Sequence, residues 1–320
     1  MELPAYHPFR SAGAKERYLA YYDHMAERWP VASEPRMLDT AYGRTFVRVS
    51  GPAGAPPLVL LHGAGGNSLM WLPNVEALSA CHRTYAVDTI DDCGRSVYAR
   101  PLTCADDFVR WLDELFTALD LREPIDLVGL SYGGWLTGQY ALRLPGRLDK
   151  IVLLAPAGIV LPLSMGFIVR AVPCLVPLRY FTQRFMYWLA QDLARKDEAG
   201  RELVEDLTDG AFMALRCFKR NRPANPTVLT DEELRGIKVP VLYLVGEHEK
   251  IYSAQKAVER LHKAAPQIQA EIMPNAGHDL TAVQSELVNR KVLEFLGAPS
   301  DTPAIGTDTP QEEAHEQAIG

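Results

Sequence analysis

Five short stretches of this chain are apolar almost without interruption, and they limit what it can fold into more than anything else in it. They are Pro57-Leu58-Val59-Leu60-Leu61, Tyr85-Ala86-Val87, Ile125-Asp126-Leu127-Val128, Ile151-Val152-Leu153-Leu154 and Val239-Pro240-Val241-Leu242-Tyr243-Leu244-Val245. A strand that is apolar on both faces is buried on both, as in a parallel sheet covered by helices on either side. Between these runs lie segments with helical spacing, at 106–119, 132–144, 253–264 and 281–295. Upstream, two short runs around Tyr42-Gly43, the second ending in Thr45-Phe46-Val47-Arg48-Val49, read as an antiparallel hairpin. Strand–helix alternation after a hairpin predicts an α/β fold, a mostly parallel doubly wound sheet with an antiparallel edge.

The flanking and intervening segments follow other patterns. Residues 14–28 have helical spacing with Tyr18, Tyr21, Tyr22 and Met25 on one side, a packing stripe. Residues 1–34 are therefore expected to form an N-terminal helical extension. From 160 to 235 no strand pattern occurs, only apolar helical stretches broken by Pro162, Pro173 and Pro177. The run from Ile159 to Leu178 would barely reach the ~20 apolar residues needed to cross a bilayer, and it holds three prolines and Arg170. No membrane span is expected. An inserted helical cap at 160–235 is the better reading, with 35–159 and 236–297 as the core. The last stretch, 298–320, is rich in Pro, Thr, Glu and Gln and is expected to be a disordered acidic tail.

Most of the formal charge of −7 sits in that tail, which holds Asp301, Asp308, Glu312, Glu313 and Glu316 and no Lys or Arg. The nearly neutral remainder has no basic stripe, which argues against nucleic acid as a partner. The five cysteines are scattered and form no C-x-x-C pair, so neither a full disulfide framework nor zinc spacing is present. The start, Met1-Glu2-Leu3-Pro4, has neither the basic nor the apolar region of a signal peptide. Thiols kept reduced in the cytoplasm are the expectation.

Gly129-Leu130-Ser131-Tyr132-Gly133-Gly134 follows one of the apolar strands and opens a helical segment. This is G-x-S-x-G in the strand–turn–helix setting of a nucleophile elbow. The turn is so sharp that side chains two residues either side of the serine would clash, hence the glycines. The helix amino terminus beneath the serine favours developing negative charge. A serine hydroxyl needs a base, and the elbow predicts the chain order serine, acid, histidine. Of eight histidines, only His262, His278 and His315 follow an acid-bearing strand end. His262 belongs to the amphipathic stretch 253–264 and His315 to the tail. His278, in the turn Pro274-Asn275-Ala276-Gly277-His278-Asp279, is the candidate general base. The strand 239–245 ends in Gly246-Glu247-His248-Glu249, which offers Glu249 as the acid and Glu247 as the alternative. His248 reads as a loop residue.

An oxyanion hole needs two backbone N–H groups. Tyr132, after the serine, supplies one. The loop His62-Gly63-Ala64-Gly65-Gly66 supplies the other, with Ala64 the candidate donor and Gly63 and Gly65 allowing close approach of substrate. His62 reads as a structural hydrogen-bonder of that loop. The acids of Asp88-Thr89-Ile90-Asp91-Asp92 are expected to brace it. Within the cap, Phe167, Phe181, Phe185 and Trp188 are candidate pocket residues, although the same rings could simply bury the cap on the core.

With these pieces in place, residues 35–297 resemble an α/β-hydrolase, and more narrowly the small bacterial carboxylesterases of the naproxen esterase type. The resemblance rests on Arg83-Thr84-Tyr85-Ala86-Val87-Asp88, Thr230-Asp231-Glu232-Glu233-Leu234-Arg235, Gly246-Glu247-His248-Glu249 with Ile251-Tyr252, and Asn275-Ala276-Gly277-His278. Met70-Trp71 followed by Pro73-Asn74 fits as well. It implies a glutamate acid at the second Glu of the GEHE motif, which favours Glu249. It also implies hydrolysis of carboxylic esters without a metal or organic cofactor. Two features depart from the pattern. Tyr132 stands where an aliphatic residue is usual, and the stretch 160–228 matches poorly and is shorter.

The function expected is ester hydrolysis through an acyl-enzyme, on a small-molecule ester or acyl substrate. The same parts would serve lactone or thioester hydrolysis, C–C bond cleavage or a tailoring step in natural-product synthesis, because the pocket decides among them. A non-catalytic ligand receptor on the same fold is the alternative of another class. Haloalkane dehalogenase and epoxide hydrolase chemistry is disfavoured, since it needs a carboxylate at position 131.

Overall fold

The strands predicted to be buried on both faces form the centre of one sheet. In the computed structural model, which describes residues 3–219 and 224–297, the strands are β1 (Ser33–Thr40), β2 (Gly43–Ser50), β3 (Pro57–Leu61), β4 (Arg83–Val87) and β5 (Val97–Tyr98). They continue with β6 (Ile125–Leu130), β7 (Leu148–Leu154), β8 (Val241–Gly246) and β9 (Gln269–Met273). Their order across the sheet is β1-β2-β4-β3-β6-β7-β8-β9, with the short β5 pairing on β2. The pairs from β4 to β9 are parallel, and the hairpin β1–β2 joins β4 antiparallel. This is the mostly parallel α/β sheet with an antiparallel edge that the apolar runs predict.

Alternate residues of the central strands feed two cores. Val59, Leu61, Leu127, Ile151, Leu153 and Tyr243 face one cluster, and Leu58, Leu60, Val128, Val152, Leu242 and Leu244 face the other. Helices cover both. The first core takes α3 (Ala105–Ala118), α4 (Tyr132–Arg143) and α10 (Ala254–Ala264). The second takes α1 (Ala12–Ala26), α2 (Val75–Cys81) and α12 (Ser285–Leu296). Each fully buried Leu or Val contributes roughly 1.5–3 kcal/mol relative to its exposed state, which explains why the strands tolerate so little polarity.

One sequence reading needs correction. The stretch 281–295 is not one helix: α11 (Leu280–Val283) ends where Gln284 leaves helical geometry at φ −121° and ψ 38°, and α12 begins at Ser285. The first residues, read as an extension, are woven into the molecule. Tyr18 donates to the Cys93 carbonyl at 2.5 Å, the Tyr22 hydroxyl meets Ser68 Oγ at 3.0 Å, and Arg10 N–H donates to the Cys217 carbonyl at 2.8 Å.

Between β7 and β8 the chain runs through α5 (Met165–Ala171), a 3₁₀ turn at Val172–Leu175, α6 (Arg179–Leu189), α7 (Gln191–Lys196), α8 (Glu198–Cys217) and α9 (Asp231–Gly236). The run from Ile159 to Leu178 is therefore broken. Among the described residues no helix is long and apolar enough to cross a membrane. The expected tail at 298–320 lies outside the described residues.

Strand β2 is tied to α3 by a buried bond from Trp111 Nε1–H to Thr45 Oγ1 at 2.9 Å, both side chains being fully buried. Thr45→Val keeps the volume and orphans the indole N–H. Urea unfolding should show a loss of about 1–3 kcal/mol.

Candidate active site

The loops at the carboxyl ends of the parallel strands carry Ser131, Glu249, His278 and the stretch 63–65. Ser131 lies between β6 and α4 with φ 52° and ψ −112°, a conformation that costs on the order of 1–3 kcal/mol in a residue other than glycine. Backbone bonds hold it there. Ser131 N–H donates to Leu154 at 2.9 Å, Gly133 N–H to His62 at 3.1 Å, and Ala157 N–H to Ser131 at 2.9 Å. The glycines are required: a Cβ on Gly129 would lie 2.3 Å from the Gly133 carbonyl oxygen, and one on Gly133 would lie 2.3 Å from that of Leu61.

His278 Nε2 is 3.0 Å from Ser131 Oγ, and its Nδ1 is 3.0 and 3.1 Å from the two oxygens of Glu249. The Glu249 side chain is wholly buried and that of His278 is 12% exposed. Glu249 Oε1 also accepts the N–H groups of Lys250 at 2.7 Å and Ile251 at 2.9 Å. A carboxylate so bound acts only as an acceptor, so Nδ1 carries the proton and Nε2 faces the serine as acceptor. Burial alone would lower the His278 pKa. The adjacent Glu249 charge and hydrogen bond, with Asp279, outweigh it and raise the value above the ordinary 6.5.

Glu247, the alternative acid, turns elsewhere. It accepts the Asn275 N–H at 3.2 Å. His248 pairs with Asp192 at 3.0 Å, and His262 is exposed on α10. His315 lies outside the described residues.

The loop after β3 approaches the serine from the other side. A Cβ on Gly63 would come within 3.3 Å of Ser131 Cβ. His62 sets the loop. Its Nε2 accepts the Thr89 N–H at 3.0 Å, which leaves the proton on Nδ1 to donate to the Gly63 carbonyl at 2.8 Å. Gly65 N–H is taken by both oxygens of Asp92 at 2.9 and 3.1 Å, and Gly66 N–H by the Gly63 carbonyl at 3.3 Å. Asp88 accepts the Ser68 and Arg95 N–H groups, each at 2.8 Å. Of the acids after β4, Asp88 and Asp92 thus brace these loops, whereas Asp91 does not. Tyr132 N–H, at the first position of α4, is among the four helix N–H groups that have no intrahelical partner.

Of the rings between β7 and β8, Phe167 stands 5.8 Å from Phe185, and Phe185 stands 6.0 Å from Trp188. Phe181 packs on Tyr180 at 5.5 Å. The connection to the acid loop is made by Ser164, whose N–H donates to the Ile251 carbonyl at 2.7 Å and whose hydroxyl reaches that of Lys250 at 3.4 Å.

A nucleophile elbow closing this sheet order decides the class, and comparison with known proteins agrees: the sequence pattern of the alpha/beta hydrolase family matches residues 58–290. The chain belongs to that family. The carboxylesterase YbfK of Bacillus subtilis (strain 168) is 37% identical over 287 residues, 88% of this chain and 93% of that protein. The uncharacterized carboxylesterase nap of the same organism is 36% identical over 284 residues, 88% and 93% of the two chains. The crystal structure of naproxen esterase (carboxylesterase NP) from Bacillus subtilis superposes with a TM-score of 0.82 at 34% identity, covering 92% of this chain and all of that one. The resemblance read from the GEHE and NAGH motifs is thereby borne out.

Three features of this α/β-hydrolase escaped the sequence reading. Asp279, beside His278, accepts the Leu193 N–H at 2.8 Å and the Gly277 N–H at 3.0 Å, and so fastens α7 to the histidine loop. Its neighbour position in a motif was the only available signal. The Tyr132 hydroxyl donates to the Ala224 carbonyl at 3.0 Å. Asp91, beside Asp92, has a buried Oδ2 without a hydrogen-bond partner among the described residues. Burial, then the Asp92 charge, push its carboxyl up to about 7.

Because Asp91 is harder to ionise in the folded protein than in the unfolded chain, it takes stability away as pH rises from about 4 through 7. Asp91→Asn should therefore raise the unfolding midpoint at pH 8 and leave it nearly unchanged at pH 4. Thermal melts at the two pH values test this.

Proposed function

We propose that this α/β-hydrolase is a carboxylesterase working through Ser131, His278 and Glu249 and an acyl-enzyme intermediate. One observation carries the assignment: the hydrogen-bonded relay from Ser131 Oγ to His278 Nε2, and from His278 Nδ1 to Glu249, at 3.0 Å per step. The names of YbfK and naproxen esterase support the ester as the bond cleaved.

In this reading His278 takes the serine proton as Oγ attacks the carbonyl carbon, and Glu249 stabilises the imidazolium that forms. The oxyanion is held by the N–H groups of Tyr132 and Ala64. Gly65 N–H and Gly66 N–H are already bonded, which favours Ala64 as the second donor. His278 then returns its proton to the leaving alcohol, and water, activated by the same imidazole, releases the acid. Residues 160–235 serve as a cap over this site, with 35–159 and 236–297 as the core. Gly63, Gly65, Phe167, Phe181, Phe185 and Trp188 border the acyl pocket for a small-molecule ester.

Ser131→Ala and His278→Ala should each lower kcat on a p-nitrophenyl ester by on the order of 10⁶. Glu249→Gln should lower it by on the order of 10⁴, and Glu247→Gln should leave it near wild type. Equal damage from the two glutamines would refute the acid assignment. The base works only when neutral, so kcat/KM should fall as pH drops through the raised His278 pKa, above 6.5. Glu249→Gln removes the group that raises it, and the acid limb should move to lower pH.

Asp92 acts on this reaction by positioning the Ala64 loop through Gly65. Asp92→Ala should reduce kcat about 10- to 100-fold with little change in KM, and Asp92→Asn, which keeps one acceptor oxygen, should recover part of the rate. A purely structural role would instead lower the melting temperature at unchanged kcat.

A further inference from the structure

Most of the large apolar side chains left exposed among the described residues fall in one short segment, from Met165 through the 3₁₀ turn to the start of α6. Met165 is 69% exposed, Val169 62% and Leu178 57%, with Val172 and Val176 exposed between them. Scattered surface hydrophobics need no explanation, but a contiguous aliphatic face marks an interaction site. Arg179, at the start of α6, is paired with Glu205 and Asp209 of α8, but the segment itself contributes charge of one sign only. No Asp or Glu occurs from Lys150 to Gln191, whereas Arg170 and Arg184 do. A groove lined by Arg10, Arg216 and Lys219 together with Cys174 and Pro177 continues the same face, with no carboxylate in its lining. Arg216 reaches the Pro177 carbonyl at 3.4 Å, so the cations stand against the apolar segment itself.

An aliphatic plateau beside a cationic groove fits a surface that is apolar within and anionic at its boundary. We propose that this face, α5 to the first turn of α6 with the Arg10–Arg216–Lys219 groove, docks on an anionic lipid surface. Side chains such as Val169 and Leu178 enter the headgroup boundary, and the cations meet lipid phosphates. A second copy of the chain is the poorer occupant, because a two-fold contact would set the groove cations Arg10, Arg216 and Lys219 against their own copies. Docking would present the insertion that Ser164 anchors to the Glu249 loop, and it holds whether or not the bond cleaved is an ester.

Flotation of the full-length chain with vesicles of phosphatidylcholine containing phosphatidylglycerol, and with phosphatidylcholine alone, tests this. Binding is expected to the anionic vesicles, to weaken with added salt, and to drop at least about tenfold in V169D/L178D and in R216E/K219E. Both variants should keep the wild-type melting temperature and the wild-type rate on soluble p-nitrophenyl acetate. Absence of binding to either vesicle, or binding that the double variants leave unchanged, overturns the proposal. So does a wild-type dimer in analytical ultracentrifugation that V169D/L178D splits, since the face would then belong to a second copy.

Discussion

The backbone at Ser131 is held where a side-chain-bearing residue does not settle by itself, and most of the surrounding structure exists to keep it there. The turn leaves β6 at φ 52° and is gripped on both flanks. Gly133 N–H bonds the carbonyl of His62 after β3, and Ser131 N–H bonds that of Leu154 at the end of β7. Those anchors belong to neighbouring parallel strands, so the strain is met by the packed centre of the sheet. A flexible loop could not meet it, because strain persists only where the surroundings over-determine the geometry.

From that turn outward, each group is held by a partner whose own position is fixed. Glu249 is pinned by two N–H groups of its own loop before it meets the imidazole. His62 fixes the Gly63 carbonyl by donating from one ring nitrogen while accepting on the other. Asp92 closes the glycine loop. The Ser131 hydroxyl, the imidazole and the Glu249 carboxylate therefore sit at hydrogen-bond distance, and in the proposed reaction this spares reorganisation.

The sheet was legible because burial on both faces leaves a residue-level mark that few other situations leave. The serine and histidine were legible because their turns need glycines at fixed offsets, and Glu249 because a glycine ends its strand. Other parts left no such mark. Asp279 is legible as a carboxylate but not as a partner of Leu193, since nothing local encodes a contact 86 residues away. The break at Gln284 escaped because Leu280, Val283 and Val288 are buried on both sides of it and the apolar spacing runs straight through. The helix α2 is short, and its apolar positions fit more than one period.

The insertion between β7 and β8 resisted reading for a more instructive reason. Among its ties are those to the Glu249 loop through Ser164, to the His278 loop through α7, and to α4 through Ala224. At each place at least one partner is backbone: the carbonyls of Ile251 and Lys250, the Leu193 N–H, and the Ala224 carbonyl. Where the insertion's own partner is backbone, as at Leu193 and Ala224, the bond places no demand on its side chains. The path of the insertion can then be kept while many of its rings and aliphatic groups change. That separation lets one fold hold a constant relay beneath a variable pocket. It also explains why a sequence that announces its serine, acid and base announces so little of what they meet.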